Sequence, residues 1–419
     1  MTDFEDFKTP DDWAPKDSII KVIGVGGGGC NAVSYMYDSK IEGCSFVVCN
    51  TDKQALSRSP VPWKIQLGDS GLGAGTDPVK ARNAALESQE LIAGKVLDSG
   101  TKMLFITAGM GGGTGTGAAP VIAKMAHEKG ILTVAVVTIP FRSEGSDFLS
   151  HAVEGIYELA KYVDSLLLID NEKLYKSYGS MLVQDAFPKA DEVLATAVRG
   201  IIEIIQKKGY VNVDFEDVRT MMHSSGMALM GVGTGSGENR LEEAVQGAME
   251  SPLLNDFDLR TCKNLLINVT ASKTKQGISM EEFGLISDMI TDYTGKVVKY
   301  KKGLIYDDDP GVGDKVRITV IATGFKMNLS GIAGTDLGNL ILINKDFVYD
   351  PESNDPEAEG RLNDNMTINK IGFDSIENIR KFSFNPDEPP VLLISDSESR
   401  SQYENTTAIR RAKTTRKQD

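Results

Sequence analysis

Short apolar runs alternate with segments of helical periodicity from about residue 18 to residue 170. The apolar runs predict strands buried on both faces, because each is short and rich in β-branched residues. These runs are residues 19–23, 46–49, 103–107, 132–139 and 166–169, with 65–67 as a weaker candidate. The helices predicted between them are residues 31–37, 77–93, 117–129 and 149–162. This alternation predicts an α/β fold whose mainly parallel sheet carries helices on both faces.

One long helix is predicted next. Residues 187–208 place apolar or small side chains at spacings of three and four, and Gly209 is typical of the position just past a helix end. A second block follows, with predicted strands at 227–232, 265–270, 297–306 and 316–322 and predicted helices at 238–249 and 280–290. Ser279 and Glu282 have the spacing of a capping box for the second of these helices. We therefore predict that the second block is an α+β domain.

The periodic pattern fades after about residue 328. Residues 345–400 are acidic and contain several Pro, Ser and Asn, which predicts a disordered linker, and residues 409–417 form a small basic end. We divide the 419 residues into five parts. They are an acidic N-terminal extension (1–17), a first domain (18–186), a central helix (187–209), a second domain (210–328), and a linker with a variable tail (329–419).

Composition and charge exclude several functional classes. The net charge of −14 makes nucleic acid a poor partner, because an acidic chain does not neutralise phosphate backbones. No apolar run approaches the roughly 20 residues that span a bilayer, and the acidic N-terminus is unlike a targeting peptide, so we expect a cytoplasmic protein. The four cysteines form no C-x-x-C pair and the three histidines are scattered, so the sequence identifies no metal ligands.

Three glycine loops carry the candidate chemistry. Loop 1 (residues 24–31) fits the G-x-G-x-x-G pattern, loop 2 (71–76) precedes a predicted helix, and loop 3 (107–117) joins a strand to a helix. A tight turn without a ligand also explains loop 1 taken alone. Three loops at the carboxyl ends of strands in one sheet, however, can converge on one crevice, where such sheets bind ligands. Because the chain has no Walker A motif, we predict a di- or triphosphate site built from backbone amides.

Loop 3 also carries a family resemblance. Residues 112–117 resemble the phosphate-binding motif of the tubulin superfamily, and residues 109–120 resemble the FtsZ family in particular. Further segments match that family in order and spacing, and the resemblance covers about residues 18–325. These segments are 24–31, 50–52, 71–78, 212–217, 237–240 and 251–254.

The resemblance implies a Rossmann-like GTP-binding domain of tubulin type, a central helix, and a second domain with a catalytic loop. It implies a GTPase that uses GTP, GDP and Mg²⁺, polymerises head to tail, and has each GTP site completed by the next subunit. It also implies a division ring on the inner face of the cell membrane. Membrane-tethering and regulatory division proteins are then the expected partners of the C-terminal tail.

Residue by residue, the resemblance implies a nucleotide site on loops 1 and 3, on the segment after residue 140, and on the central helix. Glu144 fits the ribose-contacting acid, and Phe187 and Asp191, which share a helix face, fit the guanine-binding pair. Without the resemblance, core packing explains Phe187 and a solvated surface explains Asp191. The implied nucleotide-binding residues are Gly27, Gly28, Gly29, Cys30, Asn31, Gly112, Gly113, Thr114, Gly115, Thr116, Glu144, Phe148, Phe187 and Asp191.

The implied catalytic residues are Asn212, Asp214 and Asp217. Attack on a γ-phosphate needs an oriented water more than a strong base, and two carboxylates with an amide suit that task. The same two aspartates also fit the first turn of a helix, where acids cap N–H groups and favour the dipole. The spacing leaves both interpretations open.

Two segments depart from the family pattern. Phe148 stands where the family usually has an Arg, so a cationic nucleotide contact is lost unless Arg142 replaces it. Residues 387–394 resemble the family's C-terminal recognition peptide only loosely and are not terminal.

Two other functions are to be distinguished from a GTPase. An NAD-dependent oxidoreductase is favoured by loop 1 and by Asp52 near the end of the second predicted strand, but not by loops 2 and 3. A filament that binds GTP without hydrolysing it is favoured by the departure at Phe148.

Overall fold

A computed structural model describes residues 18–325, except 99, 173–180, 208, 252–258, 275 and 308–312, together with 341–343 and 392–394. The predicted N-terminal extension and most of the predicted linker and tail lie outside the described residues. The chain divides into two compact units, Met1–Met327 and Asn328–Asp419.

A single ten-stranded sheet organises the first unit, in the order β3-β2-β1-β4-β5-β6-β7-β10-β8-β9. Neighbouring strands from β3 to β7 are all parallel, β10 runs antiparallel to β7 and β8, and β9 is parallel to β8. The predicted, mainly parallel sheet is therefore confirmed. The strands are β1 (Ile20–Val25), β2 (Ser45–Asn50), β3 (Lys64–Gln66), β4 (Met103–Gly109), β5 (Leu132–Ile139), β6 (Ser165–Asp170), β7 (Gly226–Gly235), β8 (Asn264–Ser272), β9 (Lys299–Asp307) and β10 (Val316–Phe325).

Helices cover the sheet and connect its strands. They are α1 (Gly26–Asp38), α2 (Lys53–Arg58), α3 (Pro78–Glu87), α4 (Gln89–Lys95), α5 (Gly113–Glu128), α6 (Ser146–Ala160), α7 (Val183–Gln206), α8 (Phe215–Met222), α9 (Arg240–Met249) and α10 (Met280–Thr294). Short 3₁₀ turns occupy Arg142–Glu144 and Leu259–Thr261. Within the described residues, no helix is long and apolar enough to cross a membrane.

The core lies between the sheet and the helices α1 and α7. Val22 and Phe105 on the sheet, Met36 on α1, and Val198 and Ile201 on α7 belong to one buried apolar cluster. Fully burying a side chain of this size contributes about 1.5–3 kcal/mol. The apolar face predicted for the long helix is thus the face that fixes α7 to the sheet.

The bounds of the long helix differ from the prediction. It begins at Val183 instead of residue 187, keeps Pro188 inside its first turns, and ends at Gln206 with Lys207 as an extended C-cap. Gly209 does not cap it. A Cβ there would lie 2.6 Å from the carbonyl oxygen of Leu304, so this glycine is explained by a close approach between two backbone segments.

The second unit contains two short strands among its described residues. β11 (Ile341–Ile343) and β12 (Leu392–Ile394) pair in parallel register. The apolar pattern predicted neither of these three-residue strands. The remainder of the predicted linker lies outside the described residues.

Candidate functional site

The three glycine loops meet at one edge of the sheet. β1 and β4 are parallel neighbours, so loops 1 and 3 leave the sheet side by side. A Cβ on Gly26 would lie 2.8 Å from the amide nitrogen of Gly115, and one on Gly113 would lie 2.6 Å from the carbonyl oxygen of Gly75 in loop 2. The hydroxyl groups of Thr51 and Thr114 share a hydrogen bond of 2.8 Å across the same edge. The predicted convergence is therefore observed, and we call this region the glycine edge.

Glycines at this edge fall into two kinds. Gly29 and Gly115 are packed so closely that a Cβ would lie 2.2 Å from Thr107 O and 2.3 Å from Gly109 O, respectively. Around Gly27 and Gly112, by contrast, a Cβ would meet no atom of the described residues within 4 Å apart from its own chain neighbours and helix backbone. Packing explains the first kind. The second kind leaves space on the protein surface that a ligand can enter.

Two helix N-termini point their N–H groups toward this space. α1 begins inside loop 1 and α5 begins inside loop 3, one turn earlier than the sequence pattern predicts. Neither N-cap residue, Val25 or Gly112, caps its helix with a side chain. The first four amides of each helix are thus available to an anion, and the helix dipole favours negative charge there. Because the three loops contain no Lys or Arg, amides are what the loops offer to phosphate.

Two of the predicted nucleotide-binding side chains turn inward. The Cys30 thiol lies 3.5 Å from the carbonyl oxygen of Cys49, and burial raises its pKa to about 12. The Thr116 hydroxyl accepts a hydrogen bond of 2.8 Å from the amide of Gly111 and is buried. These two residues can meet a ligand through their amides, while their side chains stabilise the loops. Asn31, the next residue of α1 after Cys30, is exposed.

The segment after β5 borders loop 3. Phe148 packs against the loop, since a Cβ on Gly111 would lie 3.3 Å from its ring and 2.8 Å from its carbonyl oxygen. Glu144 is exposed and accepts a hydrogen bond of 2.9 Å from the amide of Phe141, which closes the turn. Phe148 therefore brings an apolar contact, not a charge. The side chain of Arg142 lies outside the described residues.

Asp191 lies on α7 with its carboxylate partly withdrawn from water. Burial raises its pKa to about 6. No donor from the described residues reaches this carboxylate, so a ligand with N–H donors, such as guanine, suits it. Phe187 lies four residues earlier on α7, and its side chain is outside the described residues.

One candidate residue was missed by the sequence analysis. Asn171 follows the last residue of β6, at the carboxyl end of the sheet, and its side-chain oxygen is buried without a partner among the described residues. A buried acceptor without a donor costs free energy and calls for a ligand or a water. The signal that pointed to it was its place directly after a parallel strand, where ligand-binding residues are common.

The predicted catalytic loop lies before α8. Asp214 caps this helix by accepting a 2.8 Å hydrogen bond from the amide of Asp217, and Asp217 accepts one of 3.1 Å in return from the amide of Asp214. Lys301 on β9 adds an ion pair of 2.7 Å to Asp217. The interpretation of these acids as helix caps is therefore confirmed as their local role. Asn212 and Asp214 are exposed and Asp217 is half-buried.

The glycine edge and the end of α7 lie at opposite ends of the parallel strands, because Gln206 donates a 3.2 Å hydrogen bond to the carbonyl oxygen of Gly43, just before β2 begins. This helix has 24 residues, so its axis runs about 36 Å. Asp191 lies in its first half, whereas the catalytic loop follows its other end. At about 1.5 Å per residue, the helix alone extends about 22 Å beyond Asp191.

Asp52, which favoured an oxidoreductase, has a structural role. Its carboxylate caps α2 by accepting hydrogen bonds from the amides of Gln54 (2.8 Å) and Ala55 (3.2 Å). A carboxylate used in this way explains the acid after β2 without a dinucleotide ribose.

Comparison with known proteins identifies the family. The model of the Tubulin/FtsZ family, GTPase domain, matches residues 19–179, and that of the FtsZ family, C-terminal domain, matches residues 226–326. The cell division protein FtsZ of Porphyromonas gingivalis is 43% identical over 377 residues, which cover 88% of this chain and 80% of that protein. The cell division protein FtsZ of Pseudomonas putida is 50% identical over 317 residues, which cover 75% of this chain and 78% of that protein.

Solved structures agree with this assignment. An FtsZ dimer from M. jannaschii matches with a TM-score of 0.66 at 39% identity, covering 73% of this chain and 88% of that one. CetZ2 from Haloferax volcanii, solved as a GTPγS-bound protofilament, matches with a TM-score of 0.63 at 20% identity. The match covers 76% of this chain and 97% of that one, and it supports the fold alone. Together with the motifs of the glycine edge, these matches show that the chain belongs to the FtsZ family, the cell-division GTPases of the tubulin superfamily.

Proposed function

We propose that this GTPase polymerises head to tail and hydrolyses GTP at the contact between subunits, and that its filaments form the division ring. The observation that supports the proposal is the separation of the glycine edge from the catalytic loop. The glycine edge offers amides for a triphosphate, while the acids that suit water orientation follow the far end of α7. A single chain does not bring both parts to one γ-phosphate.

The glycine edge supplies the binding half of the site. Loops 1 and 3 hold the phosphates through the amides of α1 and α5, and Gly27 and Gly112 leave room for them. Asp191 accepts from the N1–H and N2–H groups of guanine, and Phe187 stacks on the base. Glu144 contacts the ribose. Asn171 adds an acceptor at the carboxyl end of β6.

The catalytic loop supplies the hydrolytic half to the neighbouring subunit. Catalysis of phosphoryl transfer depends mainly on positioning and charge stabilisation. Asp214 and Asp217 polarise the attacking water, and Asn212 helps to place it. Although partial burial acts in the opposite direction, Lys301 and the amide of Asp214 hold the pKa of Asp217 below its ordinary value, so this residue is ionised at neutral pH.

Mg²⁺ is proposed as the second cofactor. The described residues contain no cluster of three His, Cys, Asp or Glu side chains that could hold a metal ion by itself. Oxygens of the nucleotide and the hydroxyl groups of loop 3, such as that of Thr114, suit this hard cation. The ion supplies neutralisation of phosphate charge.

Self-association is supported by a relative. The M. jannaschii FtsZ matched above was solved as a dimer. A contact that joins the glycine edge of one subunit to the catalytic loop of the next uses two different surfaces, so it propagates into a filament. We propose that these filaments act in the cytoplasm, at the division site on the inner face of the cell membrane. Residues 329–419 would bind membrane-tethering and regulatory division proteins.

GTP hydrolysis measured against protein concentration tests this proposal. If subunits share the site, specific activity should be negligible at low concentration and rise above a critical concentration that coincides with light scattering by filaments. A specific activity that stays constant on dilution below the assembly threshold would contradict the shared site. Filaments that assemble with GTP and never release phosphate would instead support a static polymer.

A further inference from the structure

β9 is an edge strand whose two faces contact different helices. Lys299 and Lys301 lie on the face toward α8, where their ammonium groups contact Thr220 O at 3.4 Å and Asp217 at 2.7 Å. Tyr300 and Lys302 lie on the opposite face and both bond to Ser287 of α10. Lys301 thus ties the first turn of α8 to the sheet, while Lys299 reaches a carbonyl group near the other end of the helix only at the limit of a hydrogen bond.

The contact between Lys301 and Asp217 involves only one carboxylate oxygen. Oδ2 of Asp217 accepts both from the Lys301 ammonium group (2.7 Å) and from the amide of Asp214 (3.1 Å). Oδ1 has no donor among the described residues. The carboxylate is therefore fixed through Oδ2 by a lysine and a backbone amide, and neither of these donors occupies Oδ1.

We propose that Lys301 is a positioning residue for GTP hydrolysis, holding Oδ2 of Asp217 so that Oδ1 meets the water at the neighbouring subunit's nucleotide. This inference rests on the proposed function, since it assumes that Asp217 acts on the next subunit. The ion pair links residues 84 positions apart in the sequence and ties the catalytic loop to a strand of the sheet. A rigid strand restricts a carboxylate more than the loop alone does, and misplacement of a catalytic group by about 1 Å can cost a hundredfold in rate.

The charges around Asp217 single out Lys301. On its own segment, Asp214 hydrogen-bonds with Asp217 and helps to lower its pKa, Glu216 is a like charge, and Arg219 is directed to Glu216 at 3.9 Å. From β9, Lys299 contacts a carbonyl group at the other end of α8. Among the described groups, Lys301 is thus the cation in direct contact with the carboxylate. Its removal should raise the pKa of Asp217, because a nearby positive charge favours the ionised form.

The test compares Lys301→Met with Lys299→Met and Lys301→Arg in the full chain. Lys301→Met removes the charge and shortens the unbranched side chain by only one atom. We expect kcat for GTP to fall at least tenfold with GTP affinity and assembly threshold unchanged, and we expect Lys301→Arg to restore kcat to within about threefold. Lys299→Met removes a lysine from the same face without touching Asp217, and it should hydrolyse GTP like the parent.

The pH profile separates positioning from a merely structural effect. In Lys301→Met the acid limb of kcat should move to higher pH, whereas in Lys299→Met it should not move. If Lys301→Met matches Lys299→Met in both kcat and pH profile, the role of Lys301 is refuted. If Asp217→Ala itself hydrolyses GTP at the parental rate, the proposed function fails instead, so the two failures are distinguishable.

Discussion

The N-termini of α1 and α5 and the N-terminus of α8 use the same element in opposite ways. At the glycine edge, the helices begin on glycines or a valine without side-chain caps, and their amides remain available. At the catalytic loop, the acids of a capping box satisfy the amides, and Lys301 fixes one of the acids. The uncapped amides at the glycine edge attract an anion, whereas the capping acids at the catalytic loop present negative charge.

In the proposed function, this difference leaves each region with one half of a hydrolytic site. An uncapped helix on glycines binds phosphate but carries no group that orients water. A capped helix with a fixed carboxylate orients water but repels phosphate unless something else neutralises the charge. The proposed head-to-tail contact makes the two regions complementary, since one subunit presents the first and its neighbour presents the second.

The largest effect is expected from removing one carboxylate of the catalytic loop. Asp217→Ala should lower GTP hydrolysis by about 100-fold or more, because it removes a carboxylate that polarises the attacking water. GTP affinity should be unchanged, because Asp217 lies beyond the far end of α7 from the binding half of its own subunit. Phosphate release and equilibrium binding of a fluorescent GTP analogue, measured on the same sample, separate the two effects.

Mixing subunits sharpens this prediction. Asp217→Ala retains the glycine edge, and a Thr114 variant that does not bind GTP retains the catalytic loop. At their contacts each chain supplies what the other lacks, so part of the activity should return in the mixture. No recovery at any mixing ratio, despite co-assembly of the two variants, would argue that both regions act within one subunit.

A smaller effect is expected at the glycine edge from a single methyl group. Gly27→Ala and Gly94→Ala both place a Cβ in open space on a helix, and alanine favours helix by up to about 1 kcal/mol. Neither should destabilise the nucleotide-free fold. Gly27→Ala should nevertheless weaken GTP binding about tenfold, since its methyl group enters the space assigned to the phosphates. Equal GTP affinity for the two variants would remove Gly27 from the site.

Much of this contrast was predictable because it depends on local patterns. Continuous apolar runs identified the parallel strands, and the spacing of glycines after β1 and β4 identified the glycine edge. The starts of α1 and α5 were misplaced because glycine has poor helix propensity, and the tertiary fold overrides that preference here. The pattern therefore assigned the first turns of both helices to loops.

The remaining features depend on contacts between distant residues. The ion pair of Lys301 with Asp217 and the approach of Gly209 to Leu304 join segments separated by more than 80 residues, and neither has a periodic signal. The capping role of Asp214 and Asp217 was one of two open interpretations, because the same spacing serves capping and catalysis. The structure shows the capping role, in which Oδ2 of Asp217 accepts from the amide of Asp214, and the catalytic role remains a proposal.

A more modest effect is expected from pH at the guanine end of the site. Burial raises the pKa of Asp191 to about 6, and guanine N–H donors need the ionised form. The preference for GTP over ATP should therefore be constant above pH 7 and fall several-fold between pH 7 and pH 5. In Asp191→Asn the preference should be smaller and flat over this range. Equal competition by ATP and GTP in the parent protein would contradict the guanine assignment.

The smallest effect concerns the stability of the nucleotide-free protein. Because burial raises the folded-state pKa of Asp191 to about 6 from an ordinary value of 3.8, the folded state binds a proton more tightly than the unfolded state. The penalty for burying the ionised form is absent below pH 4, grows between pH 4 and pH 6, and is complete above pH 6. Asp191→Asn should therefore stabilise the nucleotide-free protein at pH 7.5 by on the order of 1 kcal/mol, after allowance for solvent screening, and by less at pH 5.

Glu192 on the same helix provides the matched control for this measurement. Its carboxylate is about half exposed and pairs with Lys189 at 2.6 Å, so Glu192→Gln removes a surface ion pair worth at most about 1 kcal/mol. Thermal unfolding at pH 5 and pH 7.5 should show Asp191→Asn gaining stability relative to the parent as pH rises, with Glu192→Gln gaining none. If Asp191→Asn gains nothing, the carboxylate is solvated in the absence of nucleotide. The free-energy penalty for burying an ionised acid at the guanine position would then be absent. The N-termini of α1 and α5 would differ from that of α8 only in that the first two suit phosphate binding and the last suits water orientation.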